Sequence, residues 1–502
     1  MLDHRLSRAV FACFAAVFVG CGGGGDTSGD TTTTTTTTTT VPPPCDSPAF
    51  AEGRDSVRCG RLVDEQGRVV LLHGVNARVE GVFDVTFDDG RTPLETIPAF
   101  TDEDAARMRE IGLNALRLPI HWSALEPTKD GGFDEAYLDR VAEIVSLCEA
   151  HQIRVLLDFH QDAYSKEIGE DGAPLWAILP PPEMLLEGPL TDLDQRRTSS
   201  QVLAAFDTFF GTSADGAMLR ERFGLAVAHV AERFKNSQAV TGIEIYNEPL
   251  SGDKQCFDLA EEIVAAVRPS DPGRLYAFEP SVLRNQFDDS PPADRDPIAG
   301  TLYAPHVYTL AFGGSDAQHQ AMTKDTLRHS NESARDEADS WDAPLLIGEY
   351  GYDPNGIQAD NYLTWQTELQ DEYQASAFLW VWKEQSQGSW GMFDHDDATD
   401  TWTERAHVRQ AITRVVPEAV AGWPKSYGFD RATKRFELVF TGDPKITGAH
   451  RIFVPGAEDF AASFEVTCDG KPVEASRDPK TGIIEVPCGA DATEHTLVVT
   501  AK

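Results

Sequence analysis

The chain has 502 residues, of which 41% are hydrophobic and 25% charged, and its formal net charge at pH 7 is −38. These proportions are those of a soluble globular protein, and they exclude an intrinsically disordered chain; the length allows one large domain and a smaller one. A strongly acidic surface repels the phosphate backbone of nucleic acids. We therefore expect no nucleic-acid partner, and we expect a monomer.

The first 21 residues have the pattern of an export signal. Arg5 and Arg8 precede an apolar run, residues 9–19, which is too short to span a bilayer and fits the apolar core of a signal peptide. The run ends in FVGC, which resembles the lipobox of bacterial lipoproteins, where the cysteine is lipidated. We therefore expect export to the bacterial cell envelope with Cys21 as the lipidation site; secretion after an ordinary signal peptide is the alternative.

Residues 22–44 form a predicted linker. They contain a glycine run, ten consecutive threonines from Thr31 to Thr40 and the segment VPPP. This composition cannot bury enough apolar surface to fold, so we expect an extended and solvated segment. A domain anchored to a membrane through Cys21 would need a spacer of this kind.

Six cysteines follow Cys21, and the cysteines of exported proteins are commonly paired. Cys148 lies in a helical pattern and Cys256 follows the motif NEP, and their pairing stays open. The other four form two pairs that are close in sequence and are disulfide candidates: Cys45 with Cys59, and Cys468 with Cys488.

Short apolar runs alternate with amphipathic segments over the central part of the chain. The segments 101–112 and 134–152 have the apolar spacing of helices. Strand and helix alternating eight times predict an α/β fold, a (β/α)₈ TIM barrel, which we assign to residues 45–422. The eight apolar runs cover residues 69–76, 113–122, 153–162, 240–249, 274–280, 301–309, 343–351 and 376–384.

The last segment, residues 423–502, has a different pattern. Its short runs alternate apolar and polar residues and are separated by glycine, proline and aspartate turns. Such a pattern is typical of a β-sandwich, so we predict a C-terminal β-sandwich domain. We expect it to pack against the barrel rather than to bind carbohydrate.

Polar side chains of the kinds used in catalysis follow nearly every predicted strand. In barrels of this type the active site lies at the C-terminal ends of the strands, so we expect these side chains to gather there. They are Asn76, Arg117, His121, His160, Asp162, Asn247, Glu248, Glu279, His306, Tyr308, Glu349 and Trp382.

Two glutamates among them suggest a reaction. Glu248 ends the fourth predicted strand and Glu349 the seventh, and in a closed barrel these positions face each other across the mouth. Glycoside hydrolysis needs two carboxyls on opposite sides of the anomeric carbon of a sugar. A hydrogen bond from Arg117 or Tyr308 to Glu349 would favour its anion, and Trp382 would stack on a sugar ring.

His160, Asp162 and His306 also raise the possibility of a metal site. Their sequence spacings match no strong metal-binding signature, and hydroxyl groups of a sugar are equally suitable partners for them. We therefore expect no metal and no cofactor.

The motifs NEP on the fourth strand, GEY on the seventh, LRLP on the second and HVY on the sixth, with Trp382 on the eighth, resemble those of glycoside hydrolase family 5. The resemblance covers residues 60–415 and implies a (β/α)₈ enzyme that retains the anomeric configuration. Glu248 would then be the acid/base, Glu349 the nucleophile and Arg117 its support. The implied substrate contacts are His160, Asp162, Asn247, His306, Tyr308 and Trp382.

Within that family, DFHQDAYS (158–165), GAPLW (172–176) and FEP (278–280) resemble the endoglycoceramidase branch. Its members cut the bond between a glycan and ceramide and carry a C-terminal β-sandwich, which implies a glycolipid or oligosaccharide substrate. The apolar loop WAILPPPEMLLEGPL, residues 176–190, would either receive the ceramide or pack on the barrel as a lid.

Two other functions stay open. One is an endo-β-1,4-glucanase or another polysaccharide hydrolase of family 5, which needs an open cleft with several aromatic sites. The other is a non-catalytic surface protein that binds glycans, although the intact glutamate pair argues against it.

Overall fold

The computed structural model describes residues 47–287, 295–385 and 390–502, apart from the side chain of Asp194. The predicted export signal, the lipidation site Cys21, the linker 22–44 and Cys45 lie outside these ranges. Within the ranges, every helix is either too short or too polar to cross a lipid bilayer.

Eight parallel strands form the barrel, and the predicted TIM barrel is confirmed. Three short strands precede it: β1 (Ser56–Arg58), β2 (Arg61–Val63) and β3 (Val69–Val70). The eight-stranded sheet has the order β10-β11-β4-β5-β6-β7-β8-β9, and the bridges Tyr303–Leu345 and Val307–Tyr350 join its two ends. Its strands are β4 (His73–Asn76), β5 (Ala115–Ile120), β6 (Arg154–Phe159), β7 (Val240–Glu244), β8 (Leu275–Phe278), β9 (Thr301–Tyr303), β10 (Leu346–Tyr350) and β11 (Ser376–Leu379).

Helices connect these strands and cover the outside of the barrel. A capping box between Thr101 and Asp104 begins the first helix, and Asp134 caps the third, whose apolar face is buried as its spacing predicts. The helices are α1 (Asp102–Glu110), α2 (Trp122–Leu125), α3 (Glu135–Ala150), α4 (Leu193–Arg197), α5 (Ser200–Phe210), α6 (Ala214–Phe234), α7 (Asp253–Val267), α8 (Val282–Phe287), α9 (Asp316–Ala321), α10 (Lys324–Ser340), α11 (Ala359–Glu372) and α12 (Ala406–Ile412).

The C-terminal part forms a hairpin and then two antiparallel sheets, and the predicted β-sandwich is confirmed. The hairpin is β12 (Phe393–Asp396) with β13 (Thr401–Glu404). One sheet has the order β1-β2-β3-β14-β17-β20 and the other β15-β16-β21-β18-β19. The remaining strands are β14 (Val416–Val420), β15 (Trp423–Asp430), β16 (Arg435–Thr441), β17 (His450–Phe453), β18 (Phe464–Cys468), β19 (Lys471–Val473), β20 (Ile483–Val486) and β21 (Glu494–Ala501).

One sheet of the sandwich takes three strands from residues 56–70, which lie before the barrel and within the range predicted to belong to it. The apolar run 69–76, predicted as one strand, is therefore divided between two sheets. Val69 and Val70 pair with β14, whereas β4 pairs with β5 and β11 in the barrel. An apolar run does not reveal which sheet will bury it, because both sheets need the same side chains.

The cysteines agree with the predicted pairs as far as they are described. Cys468 and Cys488 form a disulfide with a Cα–Cα distance of 5.7 Å. Cys59 is disulfide-bonded, and its predicted partner Cys45 lies outside the described residues. Cys148 and Cys256 are buried free thiols.

Candidate active site

Glu349, on β10, is held by two hydrogen-bond donors at the C-terminal end of the barrel. Nη1 of Arg117 donates to its Oε1 and the hydroxyl of Tyr308 to its Oε2, both at 2.8 Å, so both predicted donors are in place. Burial nevertheless raises the pKa of Glu349, while the positive charges of His306 and Arg117 lower it. The two donors therefore fix the orientation of the carboxyl, but they do not bring its pKa below the usual value.

The guanidinium of Arg117 organises the floor of the site. It is fully buried, and Glu244 accepts two hydrogen bonds from it at 2.8 and 2.7 Å. The side-chain oxygens of Asn76 and Asn247 accept two more, at 2.8 and 2.7 Å. Burial alone would lower the pKa of Arg117, but the surrounding carboxylates raise it well above its usual value, so the group is a permanent cation.

Glu248 lies four residues beyond the end of β7 and has a different environment. Its φ is 41°, in the left-handed region that residues with a Cβ rarely adopt. Its side chain is 19% exposed, and its Oε1 lies 3.1 Å from Nδ1 of His306. Nδ2 of Asn285 lies 3.4 Å from the same oxygen, and the backbone N–H of Glu248 donates to Oε2 of Glu279 at 2.6 Å.

The two predicted catalytic carboxyls lie close together. One oxygen of Glu248 is within 4.8 Å of one oxygen of Glu349. Glycosidases that retain the anomeric configuration place these groups about 5 Å apart, whereas inverting enzymes need about 6.5–9.5 Å to admit a water molecule. The separation therefore fits attack by one carboxylate on the sugar itself.

His306 lies between the two carboxyls. Its Nδ1 is 3.6 Å from Oε2 of Glu349 and 3.4 Å from Oε1 of Glu279, in addition to its contact with Glu248. Burial alone would lower the pKa of His306, but these three acidic neighbours raise it to about 10. A protonated imidazole therefore balances part of the negative charge of the site.

His160 and Asp162 form another wall of the mouth. Nδ1 of His160 lies 2.6 Å from Oδ2 of Asp158, and its Nε2 lies 3.6 Å from Asp162. Arg197 pairs with Asp162 at 3.1 Å. Burial alone would raise the pKa of Asp162, but Arg197 and His160 lower it to about 2. These side chains are therefore charged and fixed before a ligand binds.

His160, Asp162 and His306 do not come together in one group among the described residues. His160 and Asp162 come together with Asp171, whereas His306 groups with the glutamates on the other side. Asp162 is already neutralised by Arg197. The charge of this wall is thus balanced by protein side chains.

The tryptophans of the eighth strand require a correction. Trp382, predicted to stack on a sugar, is 1% exposed, and its Nε1 donates to Asp104 on α1 at 3.0 Å. Trp380 is the partly exposed member of the pair, and its ring lies parallel to His160 at 5.7 Å. β11 ends at Leu379, so the side chains beyond it no longer alternate as in a strand. Trp380, and not Trp382, is therefore the tryptophan of this strand whose ring is accessible beside His160.

Comparison with known proteins agrees with this geometry. The family described as cellulase (glycosyl hydrolase family 5) matches residues 75–386, more than half of the chain. The glycoside hydrolase family 5 C-terminal domain matches residues 414–499. The chain belongs to glycoside hydrolase family 5.

Relatives of this family 5 member include proteins named as endoglycoceramidases. Endoglycoceramidase I of Rhodococcus hoagii is 28% identical over 76% of this chain and 75% of the relative. The endoglycoceramidase of Cyanea nozakii is 26% identical over 76% of this chain and 79% of its own length. The solved lactosyl-enzyme intermediate of endo-glycoceramidase II from Rhodococcus sp. is 25% identical, with a TM-score of 0.72, and covers 88% of this chain and all of that one. The family 5 member described here is a retaining glycoside hydrolase.

Several residues of this family 5 site were not among the predicted site residues. Asp158 and Glu244 were detectable, because each is a carboxylate inside an otherwise apolar strand, in VLLDF and VTGIE. Asn285 and Arg197 had no comparable signal, since each lies in a short helix that only the fold brings to the mouth. Trp380 was missed because Trp382, two residues later, was chosen in its place.

The apolar loop 176–190 of the family 5 enzyme has two parts. Trp176 packs edge-on against Trp122 at 5.2 Å, and Ile178 is buried, so the first part lies on the barrel. In the second part Met184 is 62% exposed and Leu185 is 42% exposed. Both predicted roles, a packed lid and an apolar wall, are thus compatible with different parts of one loop.

Proposed function

We propose that this family 5 enzyme hydrolyses the bond between a glycan and ceramide in glycosphingolipids, by double displacement through a covalent glycosyl-enzyme intermediate. The observation that carries the chemistry is the pair of carboxyls within 4.8 Å of each other, one held by Arg117 and Tyr308 and the other facing the open mouth. The choice of ceramide is supported by relatives named for that activity over three quarters of the chain.

In the first step, the carboxylate of Glu349 attacks the anomeric carbon and forms an ester bond with the sugar. Glu248 gives its proton to the glycosidic oxygen, so that the C–O bond breaks and ceramide departs as an alcohol. The hydrogen bonds from Arg117 and Tyr308 leave Glu349 only a small choice of orientations, which favours attack along one line.

In the second step, Glu248 acts as the base. Its carboxylate takes a proton from a water molecule, the resulting hydroxide attacks the anomeric carbon, and the ester bond to Glu349 breaks. The glycan leaves with its original configuration, and both carboxyls return to their starting states. The 19% exposure of the Glu248 side chain suits this role, because the carboxyl must meet both the leaving group and the water.

The wall of His160, Asp162 and Trp380 supplies the sugar contacts. The two charged groups can bond to hydroxyls, and the ring of Trp380 offers an apolar face for a pyranose. Asn247 adds one amide N–H, because its oxygen is bonded to Arg117 and its other N–H reaches the carbonyl of Gln161.

The lipid would meet exposed apolar side chains in and next to the apolar loop 176–190. Leu175, Met184 and Leu185 are 42%, 62% and 42% exposed, whereas most large apolar side chains of the described residues are buried. Apolar side chains are unfavourable in contact with water. Covering them with a lipid chain stabilises the complex by about 25 cal/mol per Å² of apolar surface removed from water.

A polysaccharide hydrolase is the second candidate, and one observation favours it. The rings of Phe312 and Trp390 are stacked at 4.9 Å beside Tyr308, and both are partly exposed. Aromatic rings near a mouth can bind further sugar units of a chain as readily as a lipid.

The test gives the purified enzyme a ganglioside, a glucosylceramide and a soluble β-glucan in parallel, with the Glu349→Gln variant as control. We expect ceramide release from at least one lipid, and no product from the variant. Release of sugar from the glucan but from neither lipid would replace the ceramide proposal with the polysaccharide one. An inverted anomeric product, followed by proton NMR during the reaction, would contradict the covalent intermediate.

We also propose that lipidation of Cys21 keeps the enzyme at a membrane, next to lipid-embedded substrates. The support is the sequence FVGC after the apolar run, followed by the threonine-rich linker. Cys21→Ser should then move the enzyme from the membrane fraction to the soluble fraction of an expressing bacterium. An unchanged distribution would favour the ordinary secretory signal.

A further inference from the structure

A third carboxyl, Glu279, lies beside the catalytic pair and has no role in the two steps above. It follows β8 and is 2% exposed. Its Oε2 accepts the backbone N–H of Glu248 at 2.6 Å, and its Oε1 accepts Nδ2 of Asn285 at 3.0 Å and lies 3.4 Å from Nδ1 of His306. All three neighbours can donate, so both oxygens of Glu279 serve as acceptors. Burial raises the pKa of Glu279 well above its usual value, although the charge of His306 lowers it.

The position of Glu248 explains what such an acceptor could do. A residue other than glycine persists in the left-handed region, here at a φ of 41°, only where its surroundings hold it. β7 ends at Glu244, so the strand ladder does not hold Glu248. Its backbone N–H instead donates to Oε2 of Glu279 at 2.6 Å, a short hydrogen bond that the strand does not supply.

Asn285 extends the same support to the side chain of Glu248. Its Nδ2 lies 3.0 Å from Glu279 and 3.4 Å from Oε1 of Glu248, and its Oδ1 accepts the backbone N–H of His306 at 3.1 Å. Glu349 takes its hydrogen bonds from Arg117 and Tyr308 instead. Apart from His306, which lies near both carboxyls, the acid/base and the nucleophile are thus held by different residues.

We propose that Glu279 is a positioning residue for the general acid: together with Asn285 it holds the backbone and carboxyl of Glu248 toward the glycosidic oxygen, without touching the substrate. The proposal rests on the assignment of Glu248 as the acid/base, and it holds whether or not ceramide is the leaving group. Loss of Glu279 should therefore weaken protonation of the leaving group and spare attack by Glu349.

Two β-lactosides with different leaving groups separate these effects. Phenolate departs poorly unless it is protonated, whereas dinitrophenolate departs without a proton. We expect Glu279→Gln to lower kcat/KM for the phenyl lactoside by about 10- to 100-fold, part of the usual contribution of a general acid, with the dinitrophenyl lactoside almost unaffected. Asn285→Ala should show the same selectivity to a smaller extent.

Asp371→Asn is the matched control. It removes another buried carboxylate, which pairs with Arg414 at 2.5 Å at the far end of the barrel, so any effect should be equal for both substrates. Equal losses for both substrates in Glu279→Gln would overturn the positioning role. If that variant does not fold, Asn285→Ala decides alone, and an equal loss there has the same meaning.

Glu248→Ala distinguishes this proposal from the assignment beneath it. A loss in Glu248→Ala confined to the phenyl lactoside, together with the same selectivity in Glu279→Gln, would support both. A selective loss in Glu248→Ala alone would overturn only the role of Glu279. Equal losses in Glu248→Ala would overturn the acid/base assignment, and the role of Glu279 with it.

Discussion

Glu349 and Glu248 face each other across the barrel mouth, but the chain holds them in different ways. Glu349 belongs to a strand, is buried, and takes hydrogen bonds from Arg117 and Tyr308. Glu248 lies beyond its strand, is partly exposed, and is supported through its backbone. A nucleophile must approach one carbon along one line, whereas an acid/base must exchange protons with two partners in turn. The tightly held Glu349 suits the nucleophile, and the partly exposed Glu248 suits the acid/base.

The strongest test of this comparison removes each carboxyl in turn. Glu349→Gln should lower kcat at least about 10⁴-fold for every substrate, because no covalent bond to the sugar can form. Glu248→Gln should be as damaging for substrates with poor leaving groups. Added azide should restore turnover of an activated substrate by Glu248→Ala, because a small anion can enter the space that the carboxyl leaves and attack the intermediate. Rescue of the Glu349 variant instead, with retained configuration, would reverse the two roles.

The hydrogen bonds that hold Glu349 can be weakened without removing its carboxyl. Tyr308→Phe deletes one of the two donors to Glu349 while keeping the ring, and we expect kcat/KM to fall about 10²-fold, the order found when one stabilising donor is removed from an active site. The loss should be similar for phenyl and dinitrophenyl lactosides, because attack rather than protonation is affected. A loss confined to the phenyl lactoside would place Tyr308 on the side of the acid.

Variants of Trp380 and Trp382 test whether sugar binding depends on residues other than those that hold Glu248 and Glu349. Trp380→Ala should lower kcat/KM about tenfold or more, mainly through KM, with the melting temperature nearly unchanged. Trp382→Ala should instead cost about 3–5 kcal/mol of unfolding free energy, because it leaves a cavity where a fully buried ring was packed. Thermal unfolding and kinetics on the same preparations distinguish them, and the reverse result would restore Trp382 as the platform.

The pH response of His306, which lies between the two sides, gives a further test. Its pKa of about 10 exceeds the unfolded value of about 6.5, so its stabilising contribution is complete below pH 6.5 and is lost as the pH rises toward 10. Urea unfolding of the wild type should show this loss, and His306→Asn should show a shallower one. His229→Asn, which changes a partly buried histidine on α6, away from the active site, is the control. Equal slopes in all three proteins would mean that His306 is neutral in the folded state.

Much of this arrangement was predictable from the sequence because barrel strands and their ends follow simple rules. The eight strands, the sandwich and the positions of Glu248, Glu349 and Arg117 at the mouth come from apolar periodicity and from the location of polar residues after it. The choice between Trp380 and Trp382 did not follow, because periodicity fails where a strand ends. Asn285 and Glu279 acquire their contacts only from tertiary packing, which sequence spacing does not encode.

The division of residues 69–76 between two sheets has a consequence for how the protein is made. Val69 and Val70 pair with Val420 and Ala419, about 350 residues later, so the first sheet is incomplete until most of the chain has left the ribosome. Pairing over such a distance slows folding, because a long loop must close before the contact forms. β2 pairs locally with β1 and β3, but the edge of β3 that faces β14 stays unpaired while the barrel is synthesised. A chain shortened before β14 would leave that edge permanently without its partner.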